Sequence, residues 1–332
     1  MRVLVTGGAG YIGSHACKEL KKSGHEPITV DNLVYGHEWA VQWGPFHQIN
    51  IHDTDRLQKI MKKEKVEAVM HFAAYAYVGE SVQNPLKYYE NNFSGTISLL
   101  TAMKKSGVRK FVFSSSCATY GMPKAQPITE QSEQNPINPY GQSKLMVERV
   151  LQDLARSGDI EPTALRYFNA AGADKDLDIG EDHDPETHVI PLAIEAALLP
   201  DRHLTIYGSD YPTPDGTCIR DYVHVTDLAQ AHVKALEASP DKKSHWKAYN
   251  LGTGCGYSVQ EIVDELGRIL GREVKVRKGD RRPGDPPQLM ADAKLAKKEL
   301  GWEPQHSSLP QILESAARWY EKHHLKKRTG RS

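Results

Sequence analysis

The chain begins with Met1-Arg-Val-Leu-Val-Thr6, which runs directly into Gly7-Gly-Ala-Gly-Tyr-Ile-Gly13. The apolar residues predict a short buried strand from Arg2 to Val5, and the residues after Gly13 are typical of a helix. A strand that leads through a glycine-rich turn into a helix N-terminus is how a βαβ unit holds a dinucleotide pyrophosphate. Gly7 would allow the tight turn, Gly10 the approach of a phosphate, and Gly13 the packing of helix on strand. The opening residues therefore predict a dinucleotide site.

A second strand ends in an acidic residue at the position where such a site needs one. The segment from Glu26 to Asp31 predicts this strand. Dinucleotide folds place a carboxylate roughly 20 residues beyond the glycines, where it accepts hydrogen bonds from the adenosine ribose. Because a carboxylate repels a 2′-phosphate and no Arg follows Asp31 directly, the sequence favours NAD over NADP.

Composition narrows the class of protein. A chain of 332 residues is long enough for two domains, and its 42 basic and 42 acidic residues balance. This balance excludes the basic footprint expected of a nucleic-acid or anionic-membrane partner. The four cysteines are far apart and form no CxxC pair, so we expect neither a zinc site nor a disulfide framework. Since the first strand begins at residue 2 and no apolar run is long enough to span a membrane, we expect a cytoplasmic protein without a signal peptide.

Predicted strands and helices alternate through the first half of the chain. Further strands are predicted at Phe46–Asn50, Glu67–Ala74, Arg109–Ser116 and Pro162–Phe168, and helices from Asp53 through Lys65, from Pro85 to Ser106 and from about Pro139 to Arg156. This order predicts an α/β fold with a doubly wound, Rossmann-type parallel sheet.

The amino-acid composition changes after Gly172, where a stretch rich in proline and acidic residues begins. We therefore predict a cofactor-binding domain of residues 1–172 and a smaller α/β substrate domain of residues 173–332. Residues Tyr222 to Ser239 have helical spacing, and the segment of about 222–250 is expected to cross back to the first domain.

Three polar residues are candidates for the chemistry. Ser116 closes a predicted strand, at the end of the sheet where open α/β folds bind ligands. Tyr140 and Lys144 follow at positions i and i+4 of the next helix, so their side chains project from one face. A tyrosine with a pKa near 10 is a poor base, but a lysine ammonium one turn away and a nearby pyridinium would lower that pKa. Tyr140 is thus predicted to move the proton of a sugar hydroxyl, with Ser116 donating a hydrogen bond to the same oxygen.

These and other motifs resemble the extended short-chain dehydrogenase/reductase family, and within it the UDP-glucose 4-epimerases. The segments that carry the resemblance run from the N-terminus to about Trp319, and they are Thr6–His15, Asp31–Leu33, His71–Ala74, Val78–Ser81, Tyr88–Asn92, Pro139–Lys144, Arg166–Asn169, Gly172, Asp215–Thr217, Arg220–Tyr222, Asn250–Gly252, Arg281–Asp285 and Ala291–Asp292.

The resemblance implies roles for individual residues. Tyr140 would be the acid/base, Lys144 the residue that lowers its pKa and binds the nicotinamide ribose, and Ser116 the hydroxyl relay. The residues implied around NAD are Gly7, Gly10, Tyr11, Ile12, Gly13, Asp31, Asn32, Asn50, Ile51, Phe72, Ala73, Ala74, Asn91, Tyr140, Lys144 and Phe168. Those implied around a UDP-sugar are Ser116, Asn169, His188, Val189, Tyr207, Arg220, Tyr222, Arg282, Asp285 and Leu289.

Three positions depart from the family pattern. Ala76 stands where several relatives have a lysine near the cofactor, and Asn50 stands where many have an aspartate that contacts adenine. An asparagine can accept a similar hydrogen bond, so adenine recognition is retained. His188 stands where an asparagine contacts the substrate in relatives.

The activity implied is the NAD-dependent 4-epimerisation of UDP-hexoses, such as UDP-galactose and UDP-glucose, through a transient 4-keto sugar. Alternatives within the fold are a UDP-N-acetylglucosamine or UDP-pentose (xylose or arabinose) 4-epimerase and a sugar-nucleotide 4,6-dehydratase. A dehydratase needs additional acid/base groups beside the strand-end residue, whereas the segment from Ser116 to Tyr120 contains no carboxylate. A protein of this fold that only senses NAD would be expected to have lost Tyr140 or Lys144.

Further expectations concern metals, assembly and sugar breadth. No metal site is predicted, because isolated histidines such as His71 and His224 show no ligand spacing. The resemblance implies a homodimer built on the two helices at 85–106 and 139–156. It also places Leu289 beside the 2-substituent of the sugar, where a residue smaller than tyrosine would leave room for an N-acetyl group.

Overall fold

The computed structural model describes residues 1–238, 246–282 and 285–325. In chain order, its strands are β1 (Arg2–Thr6), β2 (Glu26–Asp31), β3 (Phe46–Gln48), β4 (Ala68–His71), β5 (Lys110–Ser116), β6 (Glu161–Tyr167), β7 (Asn169–Ala171), β8 (Leu204–Tyr207), β9 (Ile219–His224), β10 (Lys247–Leu251), β11 (Gly256–Ser258), β12 (Val276–Gly279) and β13 (Gln288–Leu289).

The helices alternate with these strands. They are α1 (Tyr11–Lys22), α2 (Thr54–Lys63), α3 (Val78–Gln83), α4 (Pro85–Tyr88), α5 (Gly95–Ser106), α6 (Pro139–Ser157), α7 (Val189–Leu198), α8 (Val225–Glu237), α9 (Val259–Leu270), α10 (Lys294–Leu300) and α11 (Leu309–Tyr320). A π-helical segment, Tyr89–Ser94, joins α4 to α5.

Seven strands form one parallel sheet in the order β10-β6-β5-β4-β1-β2-β3. Apolar residues of β1, including Val3 and Val5, face one helical layer with Leu20 of α1 and Leu228 of α8. Leu4 of the same strand faces the other layer with residues of α2, α5 and α6. The alternation of buried residues along β1 thus fills two cores, and the predicted doubly wound α/β fold is confirmed.

The strand order places a ligand site. Successive strands leave β1 in opposite directions, because β2 and β3 lie on one side and β4, β5 and β6 on the other. The connections after β1 and β4 therefore diverge to opposite faces of the sheet, and in folds of this class the crevice between them holds the ligand.

A smaller α/β layer is built from the later residues. Strand β9 pairs with β7, β11 and β13, and β8 pairs with β12. Helices α7, α9 and α11 cover these strands through apolar residues that include Ile190, Ile262 and Leu313. The chain returns to the large sheet twice, since α8 packs on α1 and β10 pairs with β6.

Several boundaries differ from those predicted. The helix predicted from Tyr222 begins at Val225, because residues 222–224 belong to β9 and the His224 ring accepts the first free amide of α8, from Thr226. Its predicted end at Ser239 lies outside the described residues. The strand predicted to reach Ala74 ends at His71, where the amides of Phe72 and Ala73 turn to the Thr6 carbonyl oxygen.

Candidate active site

The glycine turn after β1 is shaped by two steric demands. Gly7 has a φ of +73°, and a Cβ there would lie 2.5 Å from the amide nitrogen of Ala73. A Cβ at Gly13 would lie 2.1 Å from the carbonyl oxygen of Gly7. At Gly10 the nearest atom to such a Cβ is 3.3 Å away. Gly7 and Gly13 thus allow backbone segments to pack closely against each other. A Cβ at Gly10 would meet only one atom within 4 Å, so this position leaves room at the surface of the turn.

Helix α1 begins in this space. Its N-cap is Gly10, and no side chain caps it. The first amides of an α-helix have no acceptor within the helix and carry partial positive charge, so Tyr11, Ile12 and Gly13 present the groups that bind a phosphate. The room at Gly10 and these amides together fit the pyrophosphate of a dinucleotide.

Asp31 lies beside the turn, at the end of β2. Its side chain is buried and accepts hydrogen bonds from the amides of Ala9, at 3.1 Å, and Leu33, at 2.8 Å. Burial raises the pKa of the carboxyl group, and these amides oppose the rise. Asn32 follows, and its side chain accepts a hydrogen bond from the amide of Val34. The carboxylate is held in position next to the space where the glycines admit a nucleotide.

The other predicted cofactor residues stand at the carboxyl ends of neighbouring strands or on the helix that follows. They are Asn50 and Ile51 after β3, Phe72, Ala73 and Ala74 after β4, Asn91 in the π-helical segment, and Phe168 after β6. Since parallel strands end at one edge of the sheet, the fold brings these residues to the same side as the glycine turn. The side-chain amide of Asn91 donates a hydrogen bond to the side-chain oxygen of Asn92. The same oxygen also accepts a hydrogen bond from the backbone amide of Tyr75.

Ser116, Tyr140 and Lys144 meet at the end of β5. Tyr140 lies in the first turn of α6, whose amide at Gly141 is capped by the Asn138 side chain. Lys144 donates a 2.8 Å hydrogen bond to the carbonyl oxygen of Ser114, and its Nζ lies 5.9 Å from the centre of the Tyr140 ring. Ser116 lies near enough to the Tyr140 hydroxyl to affect its pKa, and its own hydroxyl oxygen accepts a hydrogen bond from the Ala118 amide. The predicted trio is therefore assembled.

The electrostatics of this trio differ from the expectation. Burial raises the pKa of Tyr140 to about 12, although its hydrogen bond with Ser116 lowers it. Burial lowers the pKa of Lys144 to about 7, and Glu148 opposes that change. The lowering of the tyrosine pKa expected from Lys144 is thus not produced by the chain alone, because desolvation weakens the lysine charge that was to cause it.

The residues predicted to hold a UDP group lie on the smaller α/β layer. Asp285 joins two of them, since it lies 2.7 Å from the Arg282 guanidinium and 3.6 Å from that of Arg220. Arg220 also donates to the backbone carbonyl of Pro286, and Arg282 lies 5.3 Å from the centre of the exposed Tyr207 ring. Two guanidinium groups beside an aromatic ring suit a diphosphate and a pyrimidine base.

The remaining predicted substrate residues are less uniform. Asn169 pairs in β7 with Tyr222 of β9, but the Tyr222 side chain is buried in the apolar cluster under α7. His188 precedes Val189 at the start of α7 and contacts two carboxylates, so it is held by ion pairs. Leu289 pairs with Arg220 across β13 and β9.

The amino-acid sequence can now be set against known proteins. Residues 3–252 match the NAD dependent epimerase/dehydratase family. The chain belongs to this family.

This epimerase/dehydratase is similar to known relatives over nearly the whole length of its chain. It is 49% identical over 324 residues to the UDP-glucose 4-epimerase of Lactobacillus helveticus, covering 97% of this chain and 98% of that one. It is similar to the UDP-glucose 4-epimerase of Brucella ovis in complex with NAD, with 53% identity, a TM-score of 0.91, and 96% and 97% of the two chains covered. It is also similar to the Stenotrophomonas maltophila UDP-glucose 4-epimerase with bound NAD and formylated UDP-arabinopyranose, with 42% identity, a TM-score of 0.92, and 97% and 98% covered.

Sequence reasoning missed the buried network behind the trio of this epimerase/dehydratase. Arg166 of β6 makes two hydrogen bonds to Glu148, at 2.9 and 2.6 Å, and Ser115 donates to the same carboxylate. Glu148 is fully buried, one helical turn beyond Lys144. The spacing of 140, 144 and 148 along one helix face was the available signal. A second missed contact joins the hydroxyl groups of Tyr167 and Ser114.

The described residues bear on two further expectations for this family member. No helix among them combines the length and the hydropathy that a membrane crossing requires. Leu289 and Cys117 pack against one small apolar cluster that contains Phe168. Leu289 and the residue that follows Ser116 thus share this cluster.

Proposed function

We propose that this chain is a UDP-glucose 4-epimerase, which uses NAD to interconvert UDP-galactose and UDP-glucose through a 4-keto sugar. The observation that carries the proposal is the assembly of Ser116, Tyr140 and Lys144 at the same edge of the sheet as the glycine turn. Its support is the 49% identity over 97% of this chain to an enzyme of that activity.

The residues present fit NAD. The room at Gly10 and the free amides of α1 suit the pyrophosphate, and Asp31 suits the adenosine ribose. When bound, NAD accepts a hydride from C4 of the sugar and returns it to the opposite face. The positive nicotinamide ring also favours the ionised form of a neighbouring tyrosine, in the direction opposite to the effect of burial on the pKa of Tyr140.

In the proposed cycle, Tyr140 takes the proton of the C4 hydroxyl group and later gives it back. Ser116 donates a hydrogen bond to the same oxygen. Lys144 binds the nicotinamide ribose and, in its ionised form, stabilises the tyrosinate. The Ser114 carbonyl fixes the lysine Nζ at 2.8 Å, so the three groups keep their relative positions while the sugar turns.

The substrate would be anchored through its nucleotide. We assign the diphosphate to Arg220 and Arg282 and the uracil to Tyr207, with Asn169 and the start of α7 completing the site. Binding energy from the nucleotide, which is remote from C4, keeps the intermediate in place while the sugar itself is held loosely enough to rotate. In this arrangement, residues 1–172 bind NAD and supply Ser116, Tyr140 and Asn169 to the sugar, and residues 173–332 supply the other contacts to the UDP-sugar.

A second candidate function is the epimerisation of UDP-N-acetylglucosamine. It is favoured by the packing of Leu289 against the same apolar cluster as Cys117, the residue after the strand-end serine, because a tyrosine at 289 would occupy more volume there. A UDP-pentose is the third candidate. A 4,6-dehydratase is disfavoured, because the segment 116–120 that follows β5 supplies no carboxylate.

We further propose that the protein acts in the cytoplasm as a homodimer. The exposed apolar side chains of Val78, Val82 and Leu86 lie on α3 and α4, which pack against α6, one of the two helices where the dimer contact is expected. Light scattering at micromolar concentration tests the assembly, and a monomer would reject it.

One incubation tests the function. Purified protein is mixed with UDP-galactose, UDP-N-acetylgalactosamine or UDP-arabinose without added NAD, and the products are identified by chromatography and NMR. We expect UDP-glucose from the first substrate and inversion at C4 alone. The matched control, Tyr140→Phe, should form no measurable product. A wild-type protein that retains NAD but converts none of the three would overturn the proposal.

A further inference from the structure

The segment between β7 and α7 concentrates metal-binding side chains. Glu181, His183, Glu186 and His188 lie within eight residues of sequence, and one ligand atom from each falls within 4.8 Å of the others. We call these four residues the Glu-His group. Cysteine and histidine spacing gave no sign of it, because two of its members are carboxylates.

The distances within the group suit a small coordination sphere. The Nδ1 atom of His188 lies 2.8 Å from a Glu181 oxygen and 2.9 Å from a Glu186 oxygen. The Nδ1 atom of His183 lies 3.1 and 3.7 Å from oxygens of the same two carboxylates. Ligand atoms about 2.0–2.2 Å from a tetrahedral ion are roughly 3.3 Å apart, which falls inside the observed range.

The type of donor selects the class of ion. Both imidazoles present the same ring nitrogen to the centre of the group, and the carboxylates supply the other two ligands. Two nitrogens with two oxygens suit Zn²⁺ and similar first-row ions, whereas Ca²⁺ and Mg²⁺ prefer oxygen ligands alone. The carboxylate of Glu181 is 9% exposed and the imidazole of His188 is 41% exposed, so the group is shielded on one side and reachable from the other.

An independent observation points into the same space. The hydroxyl group of Tyr77 is buried and has no hydrogen-bond partner among the described residues. Its ring lies 6.1 Å from that of His183 and 6.4 Å from that of His188. A buried polar group without a partner is rare, and the second oxygen of a glutamate that binds an ion would accept its hydrogen bond.

We propose that the Glu-His group binds one Zn²⁺ ion per chain, through the Nδ1 atoms of both histidines and one oxygen of each glutamate. The ion replaces the protons that join the imidazoles to the carboxylates. Its site lies against Tyr11 of the cofactor turn, whose ring is 6.2 Å from that of His183, and α7 starts one residue after His188. A bound ion therefore fixes the segment that leads from the cofactor side to the substrate side.

The test uses the full chain, produced without a histidine tag, treated with a chelator and dialysed. Calorimetric titration with Zn²⁺ alone should give one ion per chain, and the melting temperature should rise with Zn²⁺ and not with Mg²⁺. Co²⁺ serves as a spectroscopic probe, and we expect the intense visible bands of a four-coordinate site. A chain that takes up no stoichiometric Zn²⁺ overturns the proposal.

Variants locate the site. His183→Gln and Glu186→Gln should each weaken Zn²⁺ binding at least about tenfold and abolish the cobalt bands, with circular dichroism reporting the fold. The control is His324→Gln, from a separate group of Asp182, His323 and His324. It should bind Zn²⁺ normally. Unchanged binding in the first two variants, or loss of binding only in His324→Gln, would overturn the assignment. If one of the first two variants fails to fold, the other carries the same test.

Discussion

At the proposed cofactor side of this protein the backbone positions the candidate ligand-binding groups, whereas at the proposed substrate side charged side chains do so. Gly7 and Gly13 have no space for a Cβ, and the amides of α1 and the edge of a seven-stranded sheet stand around them. Arg220, Arg282 and Asp285, by contrast, are held by ion pairs, one within the loop before β13 and one between that loop and β9. Backbone geometry is insensitive to salt and rigid, while exposed ion pairs are screened and adjustable.

The difference suits the proposed cycle. A cofactor that must return a hydride to the same carbon needs a rigid seat, and the glycine turn supplies one. A sugar that must turn over needs an anchor at its nucleotide and freedom elsewhere. If this division is correct, changes at the cofactor side should cost folding or chemistry, and changes at the substrate side should cost affinity.

The largest effect is expected where the two sides meet. Tyr140→Phe removes the group that moves the C4 proton, so turnover should fall at least about 10²-fold while the NAD content and the affinity for UDP stay unchanged. Steady-state kinetics measures turnover and the affinity for UDP, and the absorbance of extracted NAD measures the NAD content. Near-normal turnover in the folded variant would remove Tyr140 from the chemistry.

Substitutions at two glycines separate packing from cofactor binding. Gly13→Ala forces a Cβ to within 2.1 Å of a carbonyl oxygen, and overpacking of this kind should cost about 3 kcal/mol of unfolding free energy. Gly10→Ala meets nothing closer than 3.3 Å, so it should fold normally but lose NAD. Urea denaturation and NAD content are measured for both. Equal stability of the two variants would contradict the steric account.

A pH series tests the buried lysine. The pKa of Lys144 is lowered to about 7 in the folded chain, against about 10.4 when unfolded. Between these values the unfolded state holds a proton that the folded state lacks, so stability rises with pH. Relative to Lys144→Met, the cofactor-free wild type should gain about 2 kcal/mol of unfolding free energy from pH 7.5 to 9. A constant difference between the two proteins would mean that Lys144 is charged in the folded chain.

The same contrast explains what the sequence could predict. Three features follow from residues close together in the chain, so the sequence alone could predict their geometry. They are the glycine turn, Asp31 at a strand end and the Tyr140–Lys144 pair. The spacing of 140, 144 and 148 places Glu148 on the face of Tyr140 and Lys144, but its pairing with Arg166 depends on a segment far away in the chain, as do the surroundings of Tyr222. The helix predicted from Tyr222 was wrong at its start for a similar reason, since β9 is fixed by pairing with β7, β11 and β13.

A smaller effect is expected at the substrate side. Arg282→Ala removes one partner of the diphosphate, and because this side chain is 57% exposed, the fold should be unaffected. We expect KM for UDP-galactose to rise about tenfold, with kcat nearly unchanged, as for loss of a contact made equally in ground and transition states. The matched control is Arg268→Ala, an exposed arginine on α9 that pairs only locally with Glu265. A fall in kcat with constant KM would place Arg282 in the chemistry instead.

The smallest effect on the conversion of UDP-glucose, and the most selective for one sugar, is expected at Leu289. Its side chain packs against the same small apolar cluster as Cys117, which follows the strand-end serine, so we expect it to lie where the sugar meets the smaller α/β layer. Leu289→Tyr adds volume there without touching the nucleotide anchor or the trio. We expect wild-type protein to epimerise UDP-N-acetylglucosamine as well as UDP-glucose, and the variant to lose the N-acetyl activity by about tenfold or more, as a site closed to extra bulk does. Activity on UDP-glucose should change less than about threefold, since an unsubstituted hydroxyl needs no additional room. Measuring kcat/KM for both sugars in both proteins decides the matter. An equal effect on the two sugars would mean that Leu289 supports the fold of β13 and does not select the substrate.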